Sequence, residues 1–441
     1  MRFSRLTAHY NAVVRRLKKL IADGAIGKIR AIQATNITLS PVWAFPWQGD
    51  PKASFGIWRG HHARALGAEI VFRTIETIKE LQTMSNPMNV GIIGQGRSGW
   101  GIHADFLRTV PDLYKITAVA DLIPERVRQS AADLGCKAHP SAESLIADPD
   151  IDLVVVATYN PTHAKYARMA LQAGKHVLCE KPFGLTVADV DDMVADAKAA
   201  GKVILPFQQR HYEKDFEKVR EICESGLLGE IVRIRICWHG FGRRWDWQTS
   251  RAMAGGNLNN NGPHPLDHAL TLFGEAEPEV WAEAGGYLRS GDAEDDLKFI
   301  LRAPGRPTIE VELSSVCAYG QDRWHVCGTR GGLHGTEKHL EWKWVDFSKM
   351  PPRPLDLAST PDRSYNRETI EWQTSSWDAA SKEANLGAGA PPPVGPTEEF
   401  YRNLYKVLME GAAPTVTVEQ ARLRVATMEK IRAAAGIPAM A

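Results

Sequence analysis

Cysteine is scarce in this chain and never clustered: the six thiols, at positions 136, 179, 223, 237, 317 and 327, form no Cys-x-x-Cys pair. Such scatter speaks against a disulfide scaffold or a structural zinc, and for reduced thiols in a cytoplasmic protein. No apolar run reaches the ~18 residues that a membrane-crossing helix requires. An excess of one charge is also lacking. Lys+Arg 53 against Asp+Glu 52 leaves a formal charge of +1, so no global field recruits nucleic acid or an acidic membrane. The first 22 residues are basic and contain no acid, a bias that resembles an organellar presequence. An internal repeat, described below, accounts for them better. What the chain does have is apolar content, 44% over 441 residues, enough for one large core or for two.

Two stretches carry the chemistry. The first runs from an apolar strand, Asn89–Ile93, into Gly94-Gln95-Gly96-Arg97-Ser98-Gly99. In such a Gly-x-Gly-x-x-Gly loop the first glycine permits the tight turn and the second lets backbone approach a pyrophosphate. The third lets the next helix pack on the strand with its N-terminal amides facing the anion. The motif alone is weak. Here a second strand, Ile116 to Ala120, ends in Asp121, 121 − 99 = 22 residues past the last glycine, near the ~20 expected of a ribose-binding acid. Asp121 favours NAD by repelling a 2′-phosphate, and Arg126 leaves NADP open.

Beyond this loop the pattern alternates strand and helix. Strands are expected at Leu153–Ala157, His176–Cys179 and Val203–Pro206, with helices at Pro124–Leu134, Thr162–Ala173 and Val187–Ala199. That rhythm predicts a parallel sheet with helices on both faces. After about Phe207 it changes to alternating apolar and charged residues, as in Val232–Ile236, Ile309–Leu313 and Leu340–Trp344. Period two with one polar face predicts a largely antiparallel sheet. Residues 350–396 read as irregular, and Thr417-x-x-Gln420 as the capping box of a helix reaching about Ala435.

Residues 9 to about 66 look like a degraded copy of the second domain's opening. His9-Tyr10 matches His211-Tyr212 at an offset of 202, and Gly24, Gly27, Ile29, Ile32, Trp43 and His62 fall on Gly226, Gly229, Ile231, Ile234, Trp245 and His264 at that same offset. The copy has no glycine loop and no Glu-Lys-Pro, so it is expected to dispense with chemistry. The expected division is therefore 1–87 as an extension, 88–207 as a dinucleotide domain and 208–441 as a substrate and oligomerisation domain.

The second chemical stretch pairs Glu180-Lys181-Pro182, just past a buried strand, with Gly255-Gly256-Asn257 through His264-Pro265-Leu266-Asp267-His268. In open α/β sheets ligands bind beyond the carboxyl ends of strands, and Pro182 holds Lys181 extended. Pro265 suits the first position of a helix running to about Phe273, which pins His264 at its entrance. There His264 can exchange a proton with a hydroxyl near neutral pH; a plain helix-capping role is the bland alternative. Asp267 equally fits a dipole-stabilised acid of the first turn. His264 and His268 are spaced to clip a metal, but no third ligand has matching spacing, and no metal is expected.

Together these motifs resemble the Gfo/Idh/MocA family (glucose-fructose oxidoreductase, inositol dehydrogenase, rhizopine catabolism), over Met88 to about Ile437 and including Thr158–His163. The resemblance implies an α/β protein: an N-terminal Rossmann domain and a C-terminal α/β domain with an open, mainly antiparallel sheet, which in that family often builds a dimer or tetramer. It implies oxidation of a secondary alcohol of a sugar or cyclitol with NAD or NADP. Lys181 would hydrogen-bond the reacting hydroxyl and His264 would take its proton. Thr158, Asn160, His163 and Glu180 would line the cofactor beside Gly94, Gly96, Arg97, Ser98, Gly99 and Asp121, with Gln209 and Arg210 between the domains. The chain departs from the family at Asn260, where an aspartate usually precedes the histidine by four residues, so His264 would work with Asp267 or water. Transient oxidation that cleaves a glycoside, or a sensor that has lost turnover, are the alternative readings.

Overall fold

The structure, a computed structural model, describes residues 87–380 and 395–440. The repeat read at residues 9–66 lies outside the described residues, as does the rest of the extension up to residue 86.

Six strands form a wholly parallel sheet: β1 (Met88–Ile93), β2 (Tyr114–Ala120), β3 (Lys137–His139), β4 (Leu153–Val156), β5 (His176–Cys179) and β6 (Ile204–Pro206). Their order is β3-β2-β1-β4-β5-β6. Chain direction reverses sideways between β1 and β4, which opens a crevice at their carboxyl ends where such sheets take ligands. All four residues of β4 are buried, as its unbroken apolar run requires of a strand covered on both faces. The expected helices appear at Pro124–Leu134, His163–Gln172 and Val187–Ala200. Thr186 and Asp189 form a reciprocal capping box at the start of the last.

The second sheet has eight strands: β7 (Ile231–His239), β8 (Glu279–Gly285), β9 (Asp296–Arg302), β10 (Thr308–Ser314), β11 (Trp324–Gly328), β12 (Gly331–Gly335), β13 (His339–Trp344) and β14 (Gln373–Asp378). In the order β14-β13-β12-β11-β7-β10-β9-β8, only the β7–β10 pair is parallel. Alternation holds strictly along β10, where Ile309, Val311 and Leu313 are buried and the residues between them are not. It fails at Val232, which is half exposed because the register of β7 against β11 slips between Cys327 and Gly328. A bulge there turns one side chain to the other face. The stretch read as irregular contains β14, a correction: Gln373–Asp378 pairs antiparallel with β13 although its sequence is polar, because the edge of β13 offers backbone partners that need no apolar side chain.

One core fills the space between the second sheet and helices Lys214–Glu224, Pro263–Phe273 and Val418–Ala434; two more cover the faces of the first sheet. The terminal helices belong by packing to both halves. Phe400, Tyr401 and Leu404 sit in a core of the first sheet, while helix Val418–Ala434 gives Val425 to that sheet and Met428 and Ile431 to the second.

Candidate active site

A cleft of about 850 Å³ runs from the glycine loop to the mouth of helix Pro263–Phe273. Gly94, with φ +95°, follows β1, and a Cβ there would strike the carbonyl of Ala157 at the end of β4. A Cβ on Gly99 would strike the carbonyl of Gly94, whereas one on Gly96 meets only Arg126 Nη1 at 3.8 Å. The loop is thus closed against its own scaffold and open at Gly96 toward the cleft. The helix it feeds begins as a π-type turn, Gly99–Ala104.

Asp121 lies across the mouth of this loop. Its Oδ2 accepts from the amide of Gln95 at 2.5 Å and its Oδ1 from the amide of Ile123 at 2.8 Å, with Arg126 Nη1 3.9 Å away. Each carboxylate oxygen retains lone pairs, so the acid can still receive two vicinal hydroxyls. Gly96, Arg97, Ser98, Asp121, Thr158, Glu180, Lys181, Gln209, Asn260 and His264 all line the cleft. An open backbone cradle, an acid at its mouth and room for a large ligand together fit a dinucleotide.

Three expected site residues stand behind the wall instead, a correction to their expected places. Asn160 is buried and donates to the carbonyl of Ala254 at 2.9 Å, fixing the Gly255-Gly256 turn from the opposite half. His163 is buried between the carbonyls of Pro182 and Thr158, at 2.8 and 3.1 Å, and staples two cleft loops together. Asp267 is fully buried, and its oxygens are engaged by His211 Nδ1 and Arg424 Nε, both at 2.8 Å. No hydrogen bond joins it to His264, because it lies on the core side of the helix and reaches the imidazole only through its field.

Lys181, Asn260 and His264 meet in the cleft from a loop and two helices. Lys181 follows β5 and precedes a cis bond to Pro182; its Nζ donates to the carbonyl of Asn260 at 2.5 Å. Burial, then the nearby cations Arg210, Arg97 and Arg244, push its ammonium below the usual lysine range, although Glu180 opposes them. His264 enters on helix Pro263–Phe273, which starts two residues earlier than expected, with Pro263 rather than Pro265 at its first position. Burial first, and then Lys181, Arg210 and His268, hold the imidazole well below its ordinary value, so the ring is neutral near pH 7. Its Nδ1 is buried without a hydrogen-bond partner among the described residues, as are Asn260 Oδ1 and Gln209 Oε1. Asn260 Nδ2 donates to the carbonyl of Gln248 at 3.0 Å. Three unpartnered acceptor-capable atoms on residues that line the same cleft as Lys181 suit a ligand rich in hydroxyl donors.

His103 was not legible in the sequence. Its Nδ1 meets the Tyr401 hydroxyl at 2.7 Å and its Nε2 faces Glu180 Oε1 at 3.3 Å. Burial alone would raise Glu180, but His103 and Lys181 outweigh it and hold the carboxyl down, to about 2. A histidine four residues past the last glycine is the sole local signal, and it gains meaning only when Tyr401 arrives from far along the chain. The indole of Trp238 stacks on His264 at 6.0 Å, and Trp247 meets Tyr159 edge-on at 5.0 Å in the cleft wall; Trp245, 80% exposed, does not line it.

His268, four residues past His264, is engaged on its own side of the helix. His268 is stacked on Phe216 at 4.0 Å with Nε2 donating to the carbonyl of Arg210 at 2.9 Å, and burial pushes it down to about 4. Among the described residues, Cys237, His239 and Glu312 cluster away from the cleft. There His239 Nδ1 accepts from the Gln321 amide, so Nε2 carries the proton it gives to Glu312.

Residues 88–207 match the model of an oxidoreductase family with an NAD-binding Rossmann fold, and residues 216–334 match the Gfo/Idh/MocA C-terminal domain. The chain belongs to the Gfo/Idh/MocA oxidoreductase family. Among its relatives, the myo-inositol 2-dehydrogenase of Thermotoga maritima is 31% identical over 263 residues, 56% of this chain and 74% of that protein. The 2,7-anhydro-N-acetylneuraminate hydratase of Escherichia coli is 30% identical over 253 residues, 56% of this chain and 67% of that protein. An NAD-binding protein from Listeria innocua superposes with a TM-score of 0.64 at 26% identity, covering 79% of this chain and 95% of its own. As a Gfo/Idh/MocA oxidoreductase the chain uses a nicotinamide dinucleotide, and the fit of the glycine loop and Asp121 agrees with that.

Proposed function

We propose that this protein is an NAD-dependent dehydrogenase that oxidises a secondary alcohol of a sugar, cyclitol or sugar derivative. The observation that carries the reading is the meeting of Lys181 and neutral His264 in the cleft that begins at the glycine loop. Gly94 to Gly99, Asp121, Thr158 and Gln209 would hold the dinucleotide, and Asp121 would favour NAD over NADP. Bound there, NAD supplies the hydride acceptor. Lys181 Nζ, anchored on the Asn260 carbonyl, donates to the substrate hydroxyl and lowers its pKa. Neutral His264 accepts the hydroxyl proton on a ring nitrogen, and Asn260 Oδ1 orients a neighbouring hydroxyl. Asp267 acts one layer behind, as a positioning residue.

The kinship with myo-inositol 2-dehydrogenase supports a polyol substrate. The hydratase among the relatives supports a second reading, in which oxidation is transient and serves to break a C–O bond without net NADH. The six free thiols suit the cytoplasm, and the outer face of the second sheet, with Trp281 and Val232 half exposed, suits assembly into a dimer or tetramer.

Absorbance of NADH, followed while protein and NAD meet a panel of cyclitols, aldoses, sugar acids and glycosides, tests the proposal. NADH with one class supports it; a consumed glycoside without net NADH selects the second reading. Bound NAD with neither outcome would overturn both and leave a sensor.

A further inference from the structure

We infer that the alcohol taken by this cleft is anionic, a sugar or cyclitol derivative whose carboxylate or phosphate is received by Arg210 and Arg244. This rests on the dehydrogenase reading of the same site and narrows it to a substrate class. Both arginines line the cleft close enough to act on Lys181, and Arg210 acts on His264 as well.

The acids beside them are already engaged. Glu180 serves His103 and the amide of Lys181. Asp246 accepts Arg244 Nε and Nη2 on Oδ2, at 3.1 and 2.8 Å, and the Gln248 amide on Oδ1, which leaves Arg244 Nη1 without a partner among the described residues. Glu213 is divided between two guanidiniums: its Oε1 accepts Arg210 Nη1 at 2.5 Å and its Oε2 accepts Arg323. Arg210 therefore keeps Nε and Nη2 free of hydrogen bonds to described residues.

Arg210 is also held in place. Its guanidinium lies over Trp238, 4.9 Å from the ring, and that indole, which Arg323 also approaches, stacks on His264. Its carbonyl is fixed by His268 Nε2. A guanidinium fork oriented in advance, 40% exposed and next to the proposed base, is a recognition element for a planar or tetrahedral oxyanion. The dinucleotide's own diphosphate does not remove the need, because the glycine loop and Arg126, which stands beside Gly96 and Asp121, serve it. A neutral polyol would leave the reacting end with a surplus of cations around the buried Lys181 ammonium; an anionic one offsets it.

The test uses the full-length protein saturated with NADH and reads binding calorimetrically for matched probes: D-gluconate and D-glucuronate for the carboxylate, myo-inositol 1-phosphate for the phosphate, against sorbitol, glucose and myo-inositol. At least one acid is expected to bind roughly tenfold or more tightly than its neutral counterpart. Arg210→Gln and Arg244→Gln should each shrink that ratio several-fold, with Arg210→Lys intermediate because it keeps the charge and loses the fork. Arg244 lies on a partly exposed loop, so its variant remains informative if the Arg210 variant fails to fold. Equal or tighter binding of every neutral probe, or ratios that survive both substitutions, overturns the inference. NADH formation from neutral polyols with no acid preference overturns it and leaves the dehydrogenase reading intact. Preferential acid binding without any redox turnover does the reverse.

Discussion

Replacing Lys181 by Met keeps an unbranched side chain one atom shorter and removes the ammonium that donates at 2.5 Å to the Asn260 carbonyl. In the proposed reaction that ammonium also polarises the substrate hydroxyl. A positioned proton donor contributes ~10²- to 10⁴-fold, so kcat/KM should fall by about two orders of magnitude, about 2.7 kcal/mol of transition-state stabilisation. A second effect separates chemistry from damage. Burial is the largest cause of His264's depression and Lys181 the next, so removing the lysine lets the imidazole titrate at higher pH. Because His264 must be neutral to accept a proton, the acid limb of kcat/KM should move upward in pH in Lys181→Met. The assay is initial NADH velocity from acid to alkaline pH, with NADH binding followed by fluorescence and expected to stay within a few-fold of the parent. Wild-type turnover, or a slow variant whose acid limb has not moved, would refute the placement of Lys181 beside His264 in the reacting complex.

Asp267→Asn should cost about 3 kcal/mol or more of stability in urea unfolding, because it leaves the buried Arg424 guanidinium without one of its carboxylates; a loss of turnover at unchanged stability would instead make Asp267 part of the chemistry. Asp121→Ser should shift the kcat/KM ratio of NAD to NADP toward NADP by relieving repulsion of the 2′-phosphate, and an unchanged ratio would remove Asp121 from the ribose. Asn260→Asp should raise the pKa of His264 by placing a carboxylate beside it and move the acid limb upward; a limb that stays put would show that the two side chains are not coupled. Deletion of residues 1–83 should leave turnover intact, and a folded but inactive truncation would give the extension a role in catalysis.

The parts of this fold that could be read in advance are those in which local chemistry and tertiary position coincide. Gly94 must take φ +95° and Gly99 must lack a Cβ whatever else the chain does, so the loop announces itself. The buried run of β4 and the strict alternation of β10 likewise carry their environments in their patterns. The misses have a common cause. β14 is polar and owes its pairing to the edge of β13, Val232 is turned out by a register slip on a partner strand, and His103 acquires its role from Tyr401 almost three hundred positions later. The family resemblance implies Asn160 and His163 at the cofactor and offers Asp267 to His264; the structure sets each one layer back, bonded to the loops or helices that the lining residues stand on.

Asn260 then bears on how the cleft divides its work. An aspartate at that position would raise the basicity of His264 and lower the net positive charge around Lys181. With the amide, the imidazole stays a weak base and the cations Lys181, Arg210, Arg97 and Arg244 act on the same volume with less opposition. Burial first, and then the charges of Lys181 and Arg210, hold His264 neutral, and the same positive charge favours the alkoxide form of a hydroxyl placed there. A weak base suffices when the acid it faces has been strengthened. The proposed chemistry therefore divides between His264, which takes the proton, and Lys181 with the cations around it, which strengthen the acid that gives it.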